Sequence, residues 1–350
     1  MFLLLRVIVF ILGALLVGFT LLSAIRTLVL PRAAPDAIYT TVFRFVRGIF
    51  DLRLRFTSNY RARDRILAYY APFALLTLLP VWLILVTLGY TSMYWALGVP
   101  NWYEAFLLSG SSLLTLGFAK ATDFWQLNLV FSEATFGLLL IALLIAYLPS
   151  MYSAFQRRAA AVSLLEVRAG TPPSAVEMLL RFNRIHGLDR LTDQWRAWET
   201  WFSDLQESHS SLPALVFFRS PQPDQSWITA AGAVLDAAAL ARSTVDIPQD
   251  FQADLCIRAG YLALRHIADY FRIDYNPSPT PDDPISITRA EFDAAYEHLA
   301  DNGVPVLPDK DQAWRDFAGW RVNYDQVLIH LAKLVVAPPA PWSSDRIPKN

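Results

Sequence analysis

Five histidines, one cysteine and a few acidic pairs are the side chains of this 350-residue chain best suited to chemistry. His186, His209, His266, His298 and His330 are far apart in sequence. None lies in an H-E-x-x-H pattern, the spacing that puts two metal ligands and a base on one helical face. His266 and Asp269 are one helical turn apart, which predicts a local polar pair. Asp282-Asp283 and Asp309-Lys310-Asp311 hold oxygens that suit a divalent cation, but without the ligand order and glycine of an EF-hand loop, and they read as solvated turns. Cys256 alone forms no intrachain disulfide. No glycine-rich phosphate loop follows a strand pattern. The side chains therefore lead us to expect no bound metal or cofactor and no enzyme, with a membrane-anchored enzyme as an alternative reading.

The composition directs attention to the backbone and to the elements that hold it. The chain is 54% hydrophobic and 17% charged, with mean hydropathy +0.32, against about 25% charged in ordinary globular domains. Residues 1–156 carry 11 Lys and Arg against 6 Asp and Glu, a net charge of +5, while the remainder carries 19 against 25, a net charge of −6. A basic membrane part joined to a mildly acidic soluble part follows, and the acidic balance disfavours nucleic acid as a partner. Val7 to Ile25 is free of charge for 19 residues, near the ~20 a helix needs to cross hydrocarbon, and reads as a retained span rather than a cleaved signal. Ile66 to Tyr103 is uncharged for 38 residues: aliphatic to Leu88, then rich in Tyr and Trp, as at a membrane interface, with Gly98 and Pro100 marking a turn. Ala134 to Gln156, 23 residues without charge, is the third span, expected to end near Pro149.

Eight Arg against three acids between Arg32 and Arg65 mark that loop as cytoplasmic, and Arg157, Arg158 and Arg168 agree. The amino terminus is thus expected outside, and the carboxy-terminal part inside a plasma or inner membrane. Within the Arg-rich loop, residues 31–65, Ile38, Val42, Phe45, Val46 and Ile49 recur at helical spacing after Pro35 and Asp36. This helix either lies on anionic headgroups or packs on its neighbours. Between spans two and three, Asn101 and Glu104 form an N-cap with a capping-box-like partner, so a short helix begins there and runs over residues 101–114. Gly117 allows a backbone conformation that other residues resist, and the chain returns outward through Lys120 and Asp123. A short helix that enters and leaves on one side is re-entrant.

This order of elements resembles the pore domain of potassium channels over roughly residues 66–156: an outer helix, a pore helix from Trp102 to Leu114, Thr115-Leu116-Gly117-Phe118-Ala119 in place of the TVGYG filter strand, and an inner helix, residues 128–149. The resemblance implies a homotetramer in the lipid bilayer around a pathway for K⁺ or another monovalent cation. It also implies filter carbonyls that replace the ion's hydration shell, with Thr115 adding its hydroxyl at the innermost site. Gly137 matches a flexible glycine of the inner helix and Pro149 a bend, both gating candidates. Lys120 and Asp123 would stand at the pore mouth. Glu104 and Glu133 are candidates for filter support, Glu133 being either a buried brace behind the filter or a helix-start acid among headgroups. The chain departs from the family at Ala119, where a second glycine is expected, at Lys120, where an Asp is common, and at Phe118, which replaces Tyr.

Residues 157–350 read as a helical domain. Thr171-Pro172, or alternatively Ser174 with Glu177, starts a helix. Leu191, Trp195, Trp198, Phe202 and Leu205 form an apolar stripe expected in the core. Further helices are expected at residues 228–242, 251–271, 288–299 and 312–336, with Thr288 and Glu291 as another capping box. The whole chain is thus expected to be an all-α integral membrane protein with three spans, one re-entrant loop and a cytoplasmic helical domain.

Overall fold

The first charge-free stretch forms helix α1, Phe2–Leu28, with Arg26 in its last turn, where a cation suits the helix dipole. The computed structural model describes residues 2–30, 36–57 and 59–346; Arg32 and Pro35 lie outside them. Asp36 caps α2, Ala37–Leu54, by accepting the Tyr39 amide at 2.8 Å. The same Asp36 oxygen accepts the Ser23 hydroxyl at 2.7 Å, and Ser23 in turn accepts the indole N–H of fully buried Trp82 at 3.2 Å. These bonds tie α1 and the start of α2 to α4, Tyr70–Ala96. The short α3, Tyr60–Leu67, capped by Asn59, precedes α4.

Among the described residues three helices are long and apolar enough to cross a membrane: α1, the α3–α4 stretch Tyr60–Ala96, and α6, Phe124–Ala169. Between the last two lies α5, Trp102–Leu113, whose cap Asn101 accepts the Glu104 amide at 2.8 Å. Two expectations change here. The helix does not stop at Leu88: Tyr90, Tyr94 and Trp95 continue α4, with Tyr90 and Tyr94 buried, while the exposed Trp102 and Tyr103 begin α5. The third apolar helix continues through Pro149 to Ala169, and it begins at Phe124 rather than near residue 128. One proline removes one backbone donor, a loss that the bonds on either side of it outlast.

By internal contacts the chain divides into two units, Met1–Ser58 with Tyr69–Ser153, and Asn59–Ala68 with Ala154–Asn350. The boundary thus gives α3 to the second unit, where the sequence pattern placed it in the Arg-rich loop. In the first unit α1 packs along α4 through glycines: a Cβ at Gly13 would lie 2.6 Å from the Gly89 carbonyl oxygen, and one at Gly89 2.6 Å from Val17. Close approach through small residues is how apolar helices associate in lipid. On α2 the expected stripe is shifted: Tyr39 and Phe43 join Ile38, Val42 and Val46 in the buried face, leaving Phe45 and Ile49 exposed at its edge.

The second unit is helical, and its described residues contain no strand, only a bridge between Val245 and Val306. Its helices are α7, Ala175–Arg184; α8, Leu191–Ser211; α9, Trp227–Ser243; α10, Phe251–Phe271; α11, Arg289–Asp301; α12, Lys310–Arg321; and α13, Asp325–Val335. Ser174, not Thr171-Pro172, caps α7 by accepting the Glu177 amide. The Thr288–Glu291 box at α11 forms in both directions. The helix expected over residues 312–336 is two helices, because Asn323 turns its side-chain amide back onto the Gly319 and Trp320 carbonyls. At the centre, α9 is buried on nearly every side, as an all-round apolar helix must be. Trp195, Trp198, Phe202 and Leu205 of α8 are core residues. The one acid of α9, Asp236, meets Arg321 at 2.6 and 2.7 Å and Tyr324 at 2.8 Å, while Asp325 takes the other edge of Arg321 at 2.7 Å. Asp309 caps α12 and Asp311 pairs with Arg289. His266 and Asp269 do not pair: His266 faces the Leu262 carbonyl and Asp269 accepts from Tyr275.

Candidate functional site

The site is the α5 helix, the segment that follows it, and the faces of α4 and α6 that hold both. Its central polar group is Glu133, on α6 and fully buried. Tyr94 of α4 donates to one carboxylate oxygen at 2.9 Å and Ser109 of α5 to the other at 2.5 Å. The Ser109 hydroxyl also lies 3.3 Å from the Thr87 carbonyl of α4. One turn away, Tyr90 and Ser132 meet at 2.8 Å. A carboxylate removed from water needs such donors, since burial without them costs several kcal/mol. Glu133 is therefore buried within the chain, and it does not stand at a helix start, since α6 begins nine residues earlier at Phe124.

Glu104 is placed differently. It is exposed at the first turn of α5, where its carboxylate accepts the Asn101 side-chain amide at 3.1 Å. An acid at a helix start complements the dipole, so Glu104 stabilises α5 without touching the segment beyond it. Gly137 is packed against the end of α5. A Cβ there would lie 2.3 Å from the Leu113 carbonyl oxygen, so this glycine is where α6 admits the end of α5. Pro149 lies inside α6, twelve residues on.

The end of α5 is a left-handed helix cap. Leu114 is the C-cap, and Thr115 follows with φ +54°. The Thr115 amide donates to the Ser112 carbonyl at 3.0 Å and the Leu116 amide to the Ser111 carbonyl at 2.8 Å, the bond pattern of a Schellman turn. Gly117 is left-handed too, at φ +72°, and its amide reaches the same Ser111 carbonyl at 3.3 Å. The Ser111 hydroxyl oxygen then accepts the Ala119 amide at 3.0 Å. Residues 115–119 are therefore an irregular turn curled on Ser111, not a strand, and Ala119 escapes the left-handed conformation that a second glycine would serve. Among the described residues no donor reaches the carbonyls of Thr115, Leu116, Gly117 or Phe118. Leu116 and Phe118 are more than 60% exposed, and Lys120 is exposed. Asp123 accepts the Trp125 amide at 2.9 Å and so serves as a cap for the start of α6.

Sequence reasoning missed Tyr94, Ser109 and Ser111. Tyr94 was grouped with interfacial aromatics, and the Ser109-Gly110-Ser111-Ser112 run carries no signal beyond small size. Its helical phase held one clue: Ser109 is one turn after Ala105 and one before Leu113, on the buried face of α5. Chemically, the arrangement offers a rigid mount and four consecutive carbonyl oxygens, the ligand type suited to hard monovalent cations. No family model, curated protein or solved structure matches this chain.

Proposed function

We propose that this chain is one subunit of a homotetrameric cation channel on the potassium-channel plan. In this reading the amino terminus is outside, the second unit is cytoplasmic, and no enzymatic step is involved. The observation that supports it most strongly is the set of unbonded carbonyls at Thr115–Phe118, held beyond a helix wedged between α4 and α6 by Glu133 and Gly137. Exposed backbone oxygens in an apolar setting call for a ligand or for water, and a single copy leaves Leu116 and Phe118 uncovered. Four copies around one axis answer both needs, with closed symmetry. K⁺ or another monovalent cation would pass along the carbonyls, and Lys120 would add positive charge near the entrance.

One observation favours a second reading, a non-conducting scaffold or sensor with channel-like architecture. The left-handed residues are Thr115 and Gly117, whereas Ala119 and Lys120 replace the outer glycine and acid of the family. The test is the reversal potential of the purified protein in planar bilayers with opposed K⁺ and Na⁺. A shift toward the K⁺ potential, absent in Gly117→Val, is expected. Tetrameric protein that carries no current across voltage and pH would overturn the channel reading in favour of the scaffold.

A further inference from the structure

Arg158, on α6 within the second unit, is 6% exposed and has no carboxylate partner among the described residues. Its guanidinium donates to the Leu215 carbonyl at 2.7 Å and the Phe218 carbonyl at 2.6 Å, and meets His209 Nε2 at 3.0 Å. The Phe155 and Trp227 rings lie 5.6 and 5.8 Å away. None of these groups carries negative charge. His209 is neutral, because burial holds its pKa well below the ordinary histidine value and its Nδ1–H is directed at the Leu205 carbonyl, 2.8 Å away. Arg321, equally buried, has Asp236 and Asp325, and Arg242 has Asp254. A buried cation without a counter-charge is costly, since dipoles alone replace only part of its lost hydration.

Arg158 lines a cavity of about 30 Å³ together with Arg219, Tyr60, Ser226 and Trp227. Asp64 also lines it but is bonded to Arg219, which leaves the walls with one net positive charge. A second observation concerns the same cavity. Helix α9 starts at Trp227, its first three residues are buried, and Ser226 makes no side-chain bond to cap them. A buried helix start leaves N–H groups that need an acceptor.

We infer that this cavity binds a compact monovalent anion of chloride size. Such an ion supplies the charge that Arg158 lacks and an acceptor for the first turn of α9. The volume corresponds to roughly two positions of about 10–15 Å³, too little for a phosphate ester or a nucleotide. This site is independent of the pore reading. It adds an anion-dependent element to α6, the helix that also carries Glu133 and Gly137.

The test is the ³⁵Cl⁻ NMR line width of the full-length protein in detergent, titrated against a gluconate background of constant ionic strength. Saturable excess broadening is expected, and Arg158→Gln should abolish it. Should that variant fail to fold, Ser226→Asp decides: a carboxylate at the uncapped helix start takes the place of the ion, so the folded variant should show no saturable broadening and a melting temperature independent of chloride. Broadening in the wild type no greater than in folded Ser226→Asp would overturn the proposal. So would saturable stabilisation by phosphate with none by chloride. None of these readouts involves conduction, so failure here leaves the channel reading intact, and the reverse.

Discussion

The backbone of Leu113 fills the space that any side chain at position 137 would need, with 2.3 Å between the Leu113 carbonyl oxygen and a Cβ placed on Gly137. Helices α5 and α6 are thus fitted backbone to backbone where α5 ends, and the turn at residues 115–119 begins two residues beyond that contact. Gly137→Ala is expected to force the helices apart and to cost about 1–3 kcal/mol, as overpacking does. Gly110→Ala, with nothing within 4 Å of its Cβ, is expected to leave stability unchanged or slightly improved. Thermal unfolding of both variants in detergent checks the pair.

Glu133→Ala should leave the buried hydroxyls of Tyr94 and Ser109 without their shared acceptor, a loss of about 1–3 kcal/mol for each unsatisfied group. Glu133→Gln keeps an acceptor and the shape, and is expected to lose less. Adding Tyr94→Phe to Glu133→Ala should cost little more than Glu133→Ala alone. Denaturation of the wild type, Glu133→Ala, Tyr94→Phe and the double variant gives the coupling directly, and additive losses would show that Tyr94 and Glu133 do not act together.

In the second unit, Arg321→Met leaves Asp236 and Asp325 facing each other in the core. Burial already raises the Asp236 carboxyl above the ordinary carboxylate range, and removal of Arg321 raises it further. A loss of about 3–5 kcal/mol is expected, as for other broken buried pairs. Asp311→Asn, at an exposed partner of Arg289, should change stability by less than about 1 kcal/mol. Calorimetry of the full chain distinguishes the two.

His209 predicts a dependence on pH. Its folded-state pKa lies well below the ordinary 6.5, first because it is buried and then because Arg158 is adjacent. The unfolded chain therefore takes up a proton below pH 6.5 that the folded chain refuses. The histidine's contribution is fully present above that pH and is lost as pH falls, at a limiting slope of about 1.4 kcal/mol per unit. The difference in stability between the wild type and His209→Gln, followed from pH 7.5 to 5, isolates this residue from the carboxylates. A difference independent of pH would disprove it.

The long helices and most caps were legible because they rest on local rules. A charge-free stretch of twenty residues, or an Asn three residues before a Glu, announces itself in one dimension. Asn101, Thr288 and the α8 stripe through Trp195 and Phe202 were read this way. The carboxylate at 133 was visible as a candidate, but its role was not, since that depends on Tyr94 and Ser109, 39 and 24 positions away. The surroundings of Pro149 and Gly137 were hidden for a related reason. The intrinsic preferences of these two residues suggest a bend and flexibility, and say nothing of the helix that continues to Ala169 or of the Leu113 carbonyl packed against position 137. The Ser111 cradle left no trace in the sequence, because one backbone oxygen and one hydroxyl serve the amides of Leu116, Gly117 and Ala119 only once the left-handed Thr115 has turned the chain.

The glycine crossing of α1 and α4 bears on how the chain is made. Gly13 leaves the ribosome 76 residues before Gly89, so the first apolar helix exists for a time without the surface it fits. Each glycine admits the other's backbone, and no rotamer can absorb a slip along the axis. Docking is consequently a matter of register, and the early helix has to be kept available, neither paired elsewhere nor released, until its counterpart has been synthesised.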